Sequence, residues 1–290
     1  MNARIAVDFN RRIVKPGELP PPDLMPLTLP DGDAGFDRAD RYLKAAYDIS
    51  LAALLAPADI RSGASEDLRG SPVYRQIQDA RRAEDPRLPL GPWERELKRA
   101  DWPLVARLSV QALAQRSKDL QLAAWLMEAG LQYHGFVALA PGLALLRALC
   151  LSHWNDLYPL IKDNDVEYRT NIFRWIDSKF PNLIAMIPVT SPHLGNDGLT
   201  LGDWRAANRP DEQGRREDKN QTAFLATLTA TSSRHLIEQT NNLRAARDEL
   251  EQLDACLDNL CGNESPGFAG LACVLDEVET LLRNELEQRG

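Results

Sequence analysis

Cysteine, histidine and basic charge are all scarce in this 290-residue sequence, and each shortage closes off a class of function. Four cysteines are too few for a disulfide scaffold of this length. The four histidines (His134, His153, His193, His235) are scattered, with no His-x-x-x-His pair and none beside a cysteine pair. Cys256 and Cys261 lack the CxxC spacing of a zinc hook, so they and Cys150 and Cys273 read as buried or half-buried free thiols. Lys and Arg number 34 against 42 Asp and Glu, a net charge of −8, whereas binding through phosphate contacts needs a clustered basic surface. Long apolar runs are missing as well. No stretch reaches the ~18 residues needed to cross a bilayer, and the longest, around Leu143–Leu151, is interrupted by Arg147. The N-terminus has no basic start followed by an apolar segment, so no secretory signal is read. These absences imply an acidic, soluble, cytoplasmic protein with no nucleic-acid partner and no membrane insertion.

Catalytic signatures are equally thin. Gly63-Ala64-Ser65-Glu66-Asp67 lacks the closing glycine and preceding strand of a nucleophile elbow, and Ser117-Lys118-Asp119 reads as a helix cap with first-turn charge. There is no glycine-rich phosphate loop. The carboxylate pairs Glu66-Asp67 and Glu84-Asp85 read as solvated loop acids or helix caps, and Arg81-Arg82 beside Glu84-Asp85 reads as a local ion-pair set. The expectation is no catalytic residue, no cofactor and no metal.

What is present is a core's worth of apolar residues, 44% of the chain, arranged with helical period. Residues 1–36 are the exception. Six prolines between Pro16 and Pro30 forbid a helix or central strand there, although IAVDF (Ile5–Phe9) could form a short strand. The segment reads as an extended arm, and its Phe9, Leu24, Met25, Leu27 and Leu29 favour lying along a surface. Residues 37–290 read as an all-α domain, with a subdivision near 181–220 and a helical hairpin over 221–290. The first helix starts at Asp37 and stops at Pro57. Others are expected over Pro72–Ala83, Trp93–Arg99, Trp102–Gln115 behind Asp101, Lys118–Tyr133 behind Ser117, Phe136–Ser152, Asp165–Lys179 behind Asn164, Leu201–Ala207 and Gln221–Ala230. The helices around Leu120–Leu131 and Leu139–Leu149 are apolar on most faces, which marks them as the two buried central helices. Leu243, Ala246, Leu250, Leu253, Leu257 and Leu260 step by three and four along Ser233–Cys261, a heptad seam. Gly262 and Ser265-Pro266 separate it from a last helix striped by Leu271, Val274, Val278 and Leu281, giving an antiparallel C-terminal hairpin.

Several linked motifs carry more. Glu66-Asp67-Leu68-Arg69 is followed by Tyr74-x-x-Ile77-x-x-Ala80-Arg81-Arg82-x-Glu84-Asp85-Pro86-x-Leu88-Pro89, then Trp93-Glu94-x-Glu96-Leu97-Lys98-x-Ala100-Asp101-Trp102. Ser117-Lys118-Asp119-Leu120-Gln121-Leu122-Ala123-x-Trp125-Leu126, Gly142-Leu143-x-Leu145-Leu146 and Trp154-Asn155-Asp156-Leu157-Tyr158-Pro159 complete the series. Together they resemble the ImpA-related N-terminal domain, which defines the TssA proteins of bacterial type VI secretion systems and their TagA- and VasL-like relatives. The resemblance runs over residues 50–286. It departs at Ala64-Ser65, where members have Cys-Gly, and at Tyr158, where His is common. It implies a non-enzymatic cytoplasmic assembly factor that binds baseplate, tube and sheath proteins and primes or caps tail assembly. A TagA-like terminator of sheath growth shares the domain, and a hydrolase-type effector is the reading from a different class. Family members continue into a variable C-terminal domain that builds rings. This chain ends at Gly290, so the resemblance leaves a homo-oligomer open.

If templating is the function, its energetic centre should be a small cluster of exposed aromatic and arginine residues. Those hardest to explain by helix periodicity lie between Asp67 and Trp93: Arg69, Tyr74, Arg81, Arg82 and Trp93. The alternative is that the arginines pair with Glu84 and Asp85 to fix a loop while Trp93 fills the core.

Overall fold

Short polar side chains set most of the helix starts. In the computed structural model, which describes residues 33–57, 65–84, 97–191, 198–209 and 218–289, Asp33 Oδ1 accepts from the amides of Gly35 and Phe36 and starts α1 (Ala34–Tyr47). Asp37, expected to cap this helix, sits in its first turn instead. The expected single helix to Pro57 is also two. Asp48 takes a left-handed conformation that ends α1, and Ser50 caps the short α2 (Leu51–Leu55). Such breaks stay invisible to periodicity, because Leu51 and Leu54 continue the apolar stripe.

Ser71 caps α3 (Pro72–Ala80), and Asp101 caps α4 (Trp102–Gln115), with proline in the first turn of both. The central pair is α5 (Leu120–His134) and α6 (Leu139–His153). Asp119 caps α5, not Ser117, whose hydroxyl donates to the Glu66 carbonyl at 2.6 Å. Gly135, at φ 76°, and a 3-10 turn join the two helices. Within Leu120–His153 the most apolar 18-residue stretch has a mean hydropathy of 1.8, long and apolar enough for a membrane span, but 78% of that stretch is buried inside the protein. It is core. Gly142 lets the pair approach, since a Cβ there would lie 2.2 Å from Met127 Cγ.

Next come α7 (Glu167–Ile184), α8 (Leu201–Ala207), α9 (Asp218–Ala230), α10 (Ser233–Cys261) and α11 (Ala269–Gln288). Asn164 is left-handed and does not cap α7; Asp165 Oδ1 accepts the Glu167 amide. That helix also runs past Lys179, with Pro181 inside it. Ion pairs Arg244–Glu279 and Arg247–Asp276 lay α10 and α11 side by side and antiparallel. Asp177 of α7 accepts the Gly270 and Leu271 amides and tethers the start of α11. Among the described residues there is no strand, only isolated bridges such as Asp119–Tyr158. The fold is all-α, and one hydrophobic core runs from Ala39 to Leu282. Of the cysteines, Cys150 and Cys256 are buried, but Cys273 is exposed, because it sits on the outer face of α11 opposite the Leu271/Val274 stripe.

At its centre, Arg147 of α6 is buried among α1, α6 and α10. Its Nε donates to Glu249 Oε1 at 2.5 Å and its Nη2 to Asp33 Oδ1 at 2.8 Å, with the guanidinium 4.0 Å from the Phe36 ring centroid. Burial opposes its charge, but the hydrogen bonds to Asp33 and Glu249 outweigh this and hold it above the usual range. The one cation that interrupts the apolar run thus ties three helices together.

Candidate partner-binding face

The segment holding the candidate residues is pinned before α3 begins. The Glu66 amide donates to the Arg116 carbonyl at 2.9 Å, the Lys118 amide to Ser65 Oγ at 2.6 Å, and Arg116 Nη2 to Glu66 Oε2 at 2.7 Å. Leu68 is fully buried. Its neighbour Arg69 points outward and forms a two-pronged pair with Asp67, Nε to Oδ1 at 3.2 Å and Nη2 to Oδ2 at 2.9 Å. This contact lowers the Asp67 carboxyl and raises the Arg69 guanidinium.

Tyr74 and Arg81 go the other way. On α3, positions 74, 77 and 80 form the buried face, so the Tyr74 ring packs on Trp125 of α5 with centroids 4.5 Å apart. Burial pushes its phenol well above the ordinary range. Arg81 follows this stripe. Its Nε donates to Glu128 Oε2 of α5 at 2.6 Å, and its guanidinium lies 5.0 Å from the Trp125 and 5.5 Å from the Trp175 ring centroids. Arg81 thus forms a buried ion pair between elements, while Asp85, one of its expected local partners, lies outside the described residues. Glu84 has other work: its amide donates to the Lys98 carbonyl at 2.9 Å, and its Oε2 accepts the Lys98 amide at 3.1 Å. Asp101 donates to the Ala80 carbonyl, and Lys98 Nζ reaches Asp79 at 2.6 Å. These contacts close the chain on either side of residues 85–96.

Arg82 remains outside, its side chain 75% exposed and only 3.7 Å from Asp79. Trp93, Asp85 and most of the expected Trp93–Arg99 helix lie outside the described residues; 97–100 carry no helix. Thus the structure brings Tyr74 and Arg81 together as internal fixings and leaves Arg69 and Arg82 on the surface.

Beneath this face are two buried charges, Lys118 and Asp119, which the sequence placed only as first-turn charge beside a helix cap. Lys118 Nζ donates to the Leu54 and Leu113 carbonyls, both at 2.6 Å, closing the ends of α2 and α4; burial lowers it to about 8. Asp119 is almost wholly buried beside Asp67, Arg69 and Tyr74. Burial pushes it up to about 7, against the pull of the Gln121 and Leu122 amides. Arg169 was missed. Fully buried, it donates to the carbonyls of Trp154, Leu157 and Pro159 and stacks on Trp154 at 4.5 Å, so it holds the Trp154–Pro159 motif in place. The available signal was a lone charge in an apolar setting: Glu128 in α5, Arg147 in α6, Arg169 before Ile172 and Phe173. Among the described residues no three His, Cys, Asp or Glu side chains gather as a metal-holding group. What this face offers is shape and charge.

Residues 55–178 match the family described as ImpA, N-terminal, type VI secretion system. Over 132 residues the chain is 32% identical to the type VI secretion system component TssA1 of Pseudomonas aeruginosa, an alignment taking in 42% of this chain and 36% of that protein. The chain thus spans little more than a third of that relative's length. A solved structure of the N-terminal domain of the TssA component from Burkholderia cenocepacia, including its conserved ImpA_N region, is similar at a TM-score of 0.69 and 27% identity, covering 83% of this chain and 95% of that one.

Proposed function

We propose that this chain, which carries an ImpA N-terminal domain of the type VI secretion family, is a non-enzymatic cytoplasmic assembly factor that binds baseplate, tube and sheath subunits to prime or cap tail assembly. The observation that carries this reading is the division of labour on the candidate face. Tyr74 and Arg81 are spent on fixing α3 to α5 and α7, and the rigid support they provide holds Arg69 and Arg82 outward. A template needs a surface whose side chains are held before the partner arrives, because less freedom is then lost on binding. Arg69 is held by Asp67, and Arg82 sits at the C-terminal end of α3. Trp93, in the segment whose flanks Glu84 and Lys98 clamp together, is the aromatic member of the set.

The experiment is a quantitative binding assay of this chain against purified baseplate, sheath and tube proteins. Arg69→Ala, Arg82→Ala and Trp93→Ala are first checked for unchanged folding. Weakening by more than about 2 kcal/mol with folding intact would mark a residue as an interface anchor. Unchanged binding in all three would remove this face from the proposal.

A further inference from the structure

The C-terminal hairpin leaves an open groove between its two helices. Ion pairs Arg244–Glu279 and Arg247–Asp276 fix the antiparallel register of α10 and α11. Continued along both helices, that register puts Leu286 level with Ile237 and Arg283 level with Thr240. These residues, with Arg244 and Glu287, line a groove of about 280 Å³. Its two ends differ in chemistry. At one end Ile237 is 49% exposed, although Leu236 beside it is fully buried, and Leu286 across from it is half-buried. Thr240, further in, donates its hydroxyl to the Leu236 carbonyl at 2.8 Å and asks for no other polar partner. At the other end stand two arginines, each about half exposed. Arg244 uses its Nε on Glu279 at 2.9 Å, and its terminal nitrogens have no hydrogen-bond partner among the described residues. Arg283 lies 3.9 Å from Glu287, beyond hydrogen-bond range, and makes only a long bond of 3.4 Å to Thr280. In a chain of net charge −8, this groove thus pairs an aliphatic end with a cationic end whose donors are largely free.

We propose that the groove docks an amphipathic helix of a partner protein, with an apolar anchor on Ile237 and Leu286 and Asp or Glu side chains one to two turns further along, facing Arg283 and Arg244. From Ile237 to Arg244 the groove runs about 10 Å along α10, which matches two turns of a helix laid into it. Charge selects the occupant. A carboxylate can take two guanidinium donors at once, whereas a basic helix would meet two cations. A second copy offering the same patch would set either cation against cation or the cationic end against the aliphatic one. The groove belongs to α10 and α11 alone, so it is tested separately from the Arg69 and Arg82 face.

The test measures the fluorescence anisotropy of a labelled alanine-based peptide, about 18 residues long so that it holds a helix in water, titrated with the full chain. One peptide carries two leucines a turn apart, followed by glutamates one and two turns on. Its control carries lysines in place of the glutamates. The expected result is that the glutamate peptide binds about tenfold tighter than the lysine peptide. Ile237→Ser should weaken it about tenfold, with helicity unchanged by circular dichroism. Arg283→Glu should shift the preference toward the lysine peptide, which a loss of folding would not do. Absence of binding, equal affinity for the two peptides, or an affinity that both substitutions leave unaltered would overturn the proposal. So would a dimer of the chain, seen by sedimentation, that Ile237→Ser dissolves, because the groove would then belong to a second copy.

Discussion

Arg81→Ala would strand the Glu128 carboxylate, whose side chain is 4% exposed, against two tryptophans with no cation to offset it. Breaking a buried pair from one side costs about 3–5 kcal/mol, so a fall in melting temperature is expected, with partial recovery when Glu128→Gln is added. Arg82→Ala, one residue on, should melt like the parent, since its side chain is three-quarters exposed and its contact with Asp79 is long. Calorimetry of the three variants checks both statements. The sequence put these arginines in one class because they are adjacent. What separates them is the α3 stripe, which continues through position 81 and turns away before 82. The Glu128 partner, 47 residues distant, could be suspected only as the odd charge in an apolar helix.

Asp119 gives a pH prediction at the same scale. Its folded carboxyl is raised to about 7 by burial, above the ordinary value of about 3.9 in an unfolded chain. The folded state thus binds more protons between those values, and stability falls as pH climbs from about 4 to 7. Lys118, lowered to about 8 from an ordinary value of about 10.4, has the opposite slope, with stability rising from about pH 8 to 10.4. Asp119→Asn keeps an N-cap acceptor but cannot titrate. Urea titrations at pH 5 and pH 7 should show a smaller loss of stability for this variant than for the parent. An equal loss would mean that Asp119 is not the titrating group.

Among elements, the packing of α5 on α6 carries most weight. Gly142→Ala would place a methyl 2.2 Å from Met127 Cγ and 2.7 Å from its Cβ, an overpacking expected to cost about 1–3 kcal/mol. Met127→Ala removes the Cγ and Sδ contacts but keeps the Cβ, so it should relieve part of that clash, and the double variant should lose less than the sum of the singles in denaturant titrations. Leu143, fully buried, is less forgiving: Leu143→Asp should destabilise by more than about 4 kcal/mol. Helices were readable where a capping start or a heptad seam marked them, as in Trp102–Gln115 and Ser233–Cys261, whose bounds match the structure. Starts were harder to place where two capping residues stood close together. Ser117 and Asp119 both fit the rule, and only the competing Glu66 carbonyl, supplied by a distant loop, decides between them.

For the molecule as a whole, the match to residues 55–178 takes in α3 to α6 and part of α7. Beyond it the hydrophobic core continues, and one charge adds a tie: Arg147 inside the matched stretch holds Asp33 and Glu249 outside it. Fold class and the resemblance to the ImpA N-terminal family were legible from the linked motifs because those residues follow in order along the chain. Their roles were not. Signature residues such as Tyr74 and Arg81 serve the core, and a sequence motif does not distinguish a buried arginine from a surface one. The most direct measurement is the affinity of the folded chain for isolated baseplate, sheath and tube subunits, taken beside Arg82→Ala and Trp93→Ala. Specific binding to at least one subunit, weakened more than about 30-fold by one of the two changes, is the expected result. A properly folded chain that binds none of them, or binds with unaltered affinity in both variants, would contradict it.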